Sequence, residues 1–150
     1  MNSKEKDLKL LLLAMHRLSL MFHLHESYPE ISGDAAFVIA RCDLAAEAYE
    51  KAIKAGYSSF EATELEQEVL FQDLHFSKHD TLVNILWNEF SDVVPQGTAK
   101  SLAIKLLPEC EMVFAKYPLS DDFAYEPEFE LLYTELTGTI AIYFEEHELQ

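Results

Sequence analysis

Six histidines are the first residues to weigh for chemistry. His75 and His79 stand four apart, the spacing that sets two imidazoles on one helix face and holds zinc in H-E-x-x-H proteases. Phe76 occupies the place of the required Glu, and Ser77 reads as a helix start. The pair is therefore expected as one surface and one cap-proximal histidine, without a metal. His16 and His23 lie two turns apart, with Glu26 three residues after His23. A di-iron bundle needs Glu-x-x-His, and no histidine here has an acid three residues before it. No metal and no cofactor are expected.

Cysteine nucleophiles need a thiolate near a base or a helix N-terminus, whereas Cys42 and Cys110 fall mid-helix among aliphatic residues. They read as reduced core thiols of a cytoplasmic protein. Arg41 is the most unusual charge, because it lies on the alanine-rich side of a helix with Ala45, Ala48 and Ala52. An arginine in such a place needs a partner: an internal carboxylate, or a bound anion for which it is the anchor. Paired carboxylates are abundant, as in Asp121, Asp122, Glu126, Glu128 and Glu130, but abundance gives none of them a catalytic role.

Whole classes of function drop out. The four glycines, Gly33, Gly56, Gly97 and Gly138, are too scattered for either glycine-rich phosphate loop. With 11 basic and 27 acidic residues the net charge is -16, which repels nucleic-acid phosphates and anionic membranes. No direct nucleic-acid binding is expected. Ten of those sixteen negative charges arise after residue 108, where eleven acids face the single base Lys116. The apolar run from Leu8 to Leu24 is broken by Lys9, His16, Arg17 and His23, so no membrane span is expected either.

The elements that must position these residues read as helices almost throughout, which predicts one all-α domain over 1–150, a bundle of about six helices. The first helix is expected from about Lys4 to about His25, capped by Ser3. Leu8, Leu11, Met15, Leu18 and Phe22 form one apolar stripe on it, Leu13, Leu20 and Leu24 another, and Lys9, His16 and His23 a polar strip. So apolar a helix either sits centrally in the domain or supplies the seam of a homodimer. A second helix follows Asp34 and stops at Gly56; a third, with the capping box Ser58/Glu61, runs to about Leu74; a fourth starts after Ser77. One kinked helix is expected to pass through Pro108, whose ring falls on its polar side. The last helix begins at Pro127 and contains Gly138, expected to admit a close neighbour.

The runs L-H-F-S-K-H-D-T-L-V-N-I-L-W-N-E-F at 74–90 and L-S-D-D-F-A-Y-E-P-E-F-E-L-L-Y-T-E-L-T-G-T-I at 119–140, with E-A-Y-E-K-A-I at 47–53, carry a resemblance. Over its whole length the chain resembles a family of small all-helical proteins of unknown function from Bacteroidetes, often carried on conjugative transposons. The resemblance implies no catalytic residue and no cofactor. It implies an accessory role on a mobile element.

Three functional expectations follow. The first is a cytoplasmic, non-enzymatic accessory protein that contacts a protein partner through an acidic helical surface at Asp121, Asp122, Tyr125, Glu126, Glu128 and Glu130. The second is a small enzyme or anion binder with a pocket between helices, Arg41 as anchor and His16, His23 or His75 as base. The third is an acidic mimic of DNA that occupies a nucleic-acid enzyme, with Glu61, Glu64 and Glu68 adding to the acidic surface.

Overall fold

The computed structural model describes residues 2–147. Every regular element among them is helical, as expected: α1 (Ser3–Ser27), α2 (Ala35–Lys54), α3 (Ser59–Leu70), α4 (Lys78–Glu89), α5 (Ala99–Phe114) and α6 (Glu128–His147). Short 3-10 turns fall at Gln96–Thr98 and Phe123–Tyr125. The chain divides between Gln72 and Asp73 into two compact units. α1 to α3 form the first and α4 to α6 the second.

In the first unit, α1 starts one residue earlier than expected: the Asn2 side chain, not Ser3, accepts the Glu5 N–H at 2.9 Å. Asp34 caps α2 by accepting the Phe37 N–H at 3.0 Å, and Gly56 takes the left-handed turn beyond it with φ of 98°. Ser58 and Glu61 cap α3 reciprocally, side chain to backbone in both directions. α2 packs on both α1 and α3. Ala45, Ala52 and Ala62 are buried there, and such small side chains let helix backbones approach. α3 ends at Leu70, four residues before the expected end. Asp73 enters the left-handed region with φ of 64°, which an Asx side chain tolerates better than most and which no helix continues through.

In the second unit, Ser77 opens α4 by accepting the Asp80 N–H at 2.9 Å. α5 continues through Pro108, which is exposed and so removes a hydrogen bond without disturbing the core. Leu82, Ile85 and Leu86 of α4, Leu106, Cys110 and Phe114 of α5, and Leu132, Leu136 and Ile140 of α6 are fully buried together around Phe123. Each such aliphatic or aromatic side chain contributes about 1.5–3 kcal/mol by leaving water. Phe76, Tyr117, Phe123 and Phe129 add edge-to-face ring contacts with centroids 5.4–6.3 Å apart. The expectation for Gly138 is corrected: it is exposed, and a Cβ there would meet nothing within 4 Å. No neighbouring helix uses the space.

Candidate functional site

The way α1 is turned decides what the first unit can do. Leu20 and Leu24 are buried and Leu13 half-buried, and the Lys9, His16 and His23 strip lies on that same side of the helical wheel. The expected polar strip therefore faces inward rather than into water. Lys9 Nζ reaches Glu50 at 2.6 Å, and the His23 ring packs edge-on against Phe71 at 5.3 Å and tilted on Tyr28 at 5.5 Å. His16 Nδ1 is in direct contact with Glu66 Oε1. On the opposite side Leu8, Leu11, Met15, Leu18, Met21 and Phe22 are all between 43 and 68% exposed, while Leu12 lies beside the histidine strip.

Glu66 is the candidate site residue that the sequence does not announce by motif. It lies four residues after Ala62 and four before Leu70, on the buried row of α3, and is itself only 5% exposed. That spacing was the available signal: an acid in register with two core positions rather than with Glu61, Glu64 and Glu68, which are exposed. Burial raises the pKa of its carboxyl, and the nearby His16 partly opposes the shift. Next to the pair opens a cleft of about 310 Å³ between α1, α2 and α3, lined chiefly by Leu12, Leu13, Ala46 and Tyr49. Thr63 lies at its edge, donating to the Ser59 carbonyl at 2.8 Å.

Arg41 is not in this cleft, and backbone carbonyls stand where an internal carboxylate was expected. Its Nη1 donates to the carbonyls of Gln72 at 2.6 Å, Leu70 at 3.3 Å and Val69 at 3.4 Å, while its guanidinium lies 4.9 Å from the Phe37 ring centre. The last carbonyls of a helix lack partners and carry the negative end of its dipole, so a cation there satisfies both. Its partner is the end of α3, not a carboxylate.

The remaining candidates disperse. His79 is buried and donates through Nε2 to the Lys100 carbonyl at 3.0 Å, while His75 lies 4.0 Å from Asp121 at the surface. Asp121 is committed to its own unit, accepting the backbone N–H groups of Asp73 at 3.0 Å and His75 at 3.2 Å. Asp122, Glu126, Glu128 and Glu130 are exposed and Tyr125 is 88% exposed; Glu128 and Glu130 occupy the first turn of α6, where carboxylates offset the helix dipole. Burial pushes the Cys110 thiol up to about 11 and also raises that of Cys42, so neither is poised as a nucleophile. Among the described residues no three His, Cys, Asp or Glu side chains converge to hold a metal ion. None of the described helices is long and apolar enough to cross a membrane.

Comparison with known proteins agrees with this fold. The crystal structure of protein PG0816 from Porphyromonas gingivalis is similar to the chain over 99% of both, with 45% identity and a TM-score of 0.89. No curated protein matches. The model of a family described as a domain of unknown function, DUF1896, matches residues 10–149. Matched over nearly its whole length, the chain belongs to the DUF1896 family.

Proposed function

We propose that the protein works by protein contact, as a non-enzymatic cytoplasmic accessory factor that assembles with a second copy of itself through α1. The observation that carries this reading is the exposed apolar side of that helix. Leu8, Leu11, Met15, Leu18 and Phe22 recur at alternating spacings of three and four, the pattern of a helix-to-helix seam. With Met21 they leave on the order of 600 Å² in water, at the top of the roughly 300–600 Å² patch found on a typical monomer. Two copies would bury on the order of 1,200 Å², at the lower end of the roughly 1,200–2,000 Å² typical of stable complexes.

Charge supports a second copy as the occupant. The chain is strongly acidic, yet α1 holds Lys4, Lys6, Lys9 and Arg17 against Glu5, Asp7 and Glu26 and is close to neutral. Two such helices approach without net repulsion along the seam. An antiparallel pair centred on Met15 sets Lys4 of each copy near Glu26 of the other, whereas a parallel pair sets like charges together. The acidic residues from Asp121 to Glu130 are better spent otherwise in this reading: Asp121 ties its loop, Glu128 and Glu130 favour the start of α6, and the rest keep the chain soluble. The mobile-element context implied by the resemblance suits an accessory role of this kind.

Sedimentation equilibrium tests the proposal. The expected result is a dimer of 17.2 kDa chains that tightens with added salt, because salt screens the repulsion between the acidic bodies. Leu11→Glu with Leu18→Glu should give a monomer with unchanged helix content, since both side chains already face water. A wild-type chain that is monomeric at about 100 µM, above the micromolar ceiling of interfaces this size, overturns it.

A further inference from the structure

The cleft beside His16 and Glu66 supports a second activity, independent of self-association. On the buried row of α3, an ionisable residue stands where Ala62 and Leu70 show that an apolar one would fit. A buried acid–imidazole pair is commonly no better for stability than apolar side chains of the same volume. Its place at the base of an apolar cleft gives it a use that stability does not.

Within the pair, His16 Nδ1 engages Glu66 Oε1, and both residues line the cleft, so a carboxylate and an imidazole face whatever enters it. The other charges at the rim are Glu5 and Lys9, and Lys9 is already paired with Glu50 at 2.6 Å. The cleft is thus net acidic, in a chain whose charge of -16 draws cations toward it and repels anions. A cleft of about 310 Å³ is at the small end of ligand pockets and holds roughly ten water-sized volumes.

We infer that this cleft binds a small organic cation, a primary amine with an alkyl or aryl body, its ammonium on the Glu66 carboxylate and its body along Leu12, Leu13 and Tyr49. The sign of the ligand is the reverse of the anion expected from Arg41. His16 acts as a positioning residue: its Nδ1, set against the carboxylate, orients it and partly opposes the effect of burial, as a carboxylate and a histidine orient each other in other sites. Ligand binding favours the ionised carboxylate, against the burial that disfavours it.

Nuclear magnetic resonance of the full-length chain tests this with three probes of one shape: benzylamine, benzyl alcohol and benzoate. Benzylamine should move the amide signals of Leu12, Leu13, Ala46 and Glu66 saturably, and the alcohol and the carboxylate should bind at least about ten-fold more weakly. Glu66→Gln should weaken benzylamine by about ten-fold or more, the scale of losing one charge-assisted hydrogen bond. Ala46→Leu narrows the cleft without touching the pair and should also block the amine, which keeps the test decisive if Glu66→Gln disturbs the fold. Absence of saturable shifts with benzylamine, benzoate or benzyl alcohol binding as well as the amine, or unimpaired amine binding by both variants overturns the inference. Sedimentation of the Leu11→Glu, Leu18→Glu chain, whose changes lie outside the cleft lining, separates failure of this inference from failure of self-association.

Discussion

The two units use the same helical material to opposite ends. In α4 to α6 the large apolar side chains converge: nine aliphatic, cysteine and phenylalanine side chains from three helices close around Phe123. In α1 to α3 much of the corresponding material faces water. Of the 21 large apolar side chains exposed among the described residues, fourteen precede Asp73, and eight of those are on α1. The buried interior positions there include Ala45, Ala52, Ala62 and the charged Glu66. One unit has closed its core; the other has left a face and a cleft.

The sharpest way to break that contrast is to truncate matched side chains. Phe114→Ala removes a fully buried ring from the closed core and should cost about 3–5 kcal/mol, read as a lower urea midpoint. Leu18→Ala, at 65% exposure, should change the stability of the monomer by less than about 0.5 kcal/mol while weakening the dimer. A large monomer effect at Leu18 would mean that α1 is covered within one chain.

Next in size is the end of α3. Arg41→Ala leaves the carbonyls of Val69, Leu70 and Gln72 without their shared donor and should cost about 1–2 kcal/mol. Amide hydrogen exchange should then speed up in the residues that close α3. If Arg41 instead served a bound anion, phosphate would stabilise the wild type and not the variant, and we expect no such difference.

These two cases show what could be read from the chain. Local signals survived because their partners are three or four residues away: the Ser58/Glu61 box, the Ser77 cap, the stop at Gly56 and the helix running through Pro108. The buried role of Leu20 and Leu24 was equally legible from spacing. Arg41 was conspicuous, but its partner lies 28 to 31 residues further along, and a helix end offers bare carbonyls that no side-chain type announces. The His16–Glu66 pair spans 50 residues, and periodicity treats the histidine strip as a solvated face because it counts polarity without partners. A polar side of α1 turned inward, with Leu11 and Leu18 outward, requires knowing which side α2 occupies.

A smaller gain is expected at Gly138. Since a methyl group there meets nothing, Gly138→Ala should stabilise the chain by about 0.5–1 kcal/mol through helix propensity and a less mobile unfolded state. A loss of stability would show that α6 has a close neighbour at that point.

The finest test compares one carboxylate from each unit by its pH dependence. Glu66 has a pKa raised above the ordinary 4.5 by burial, so its contribution is fully present below that value and is lost as pH rises through the folded-state pKa. Glu135 is the reverse: Tyr117 donates to it at 2.5 Å and Lys116 at 2.9 Å, which lowers its pKa and raises that of Tyr117 to about 12. Its contribution is present above 4.5 and is lost as pH falls through the lowered value. Relative to wild type, Glu66→Gln should therefore gain melting temperature between acid and neutral pH, while Glu135→Gln should lose it over the same span. Opposite slopes follow only if the first unit holds its acid out of water and the second holds its acid in a hydrogen-bonded, charge-paired setting; parallel slopes would erase the electrostatic half of the contrast between them.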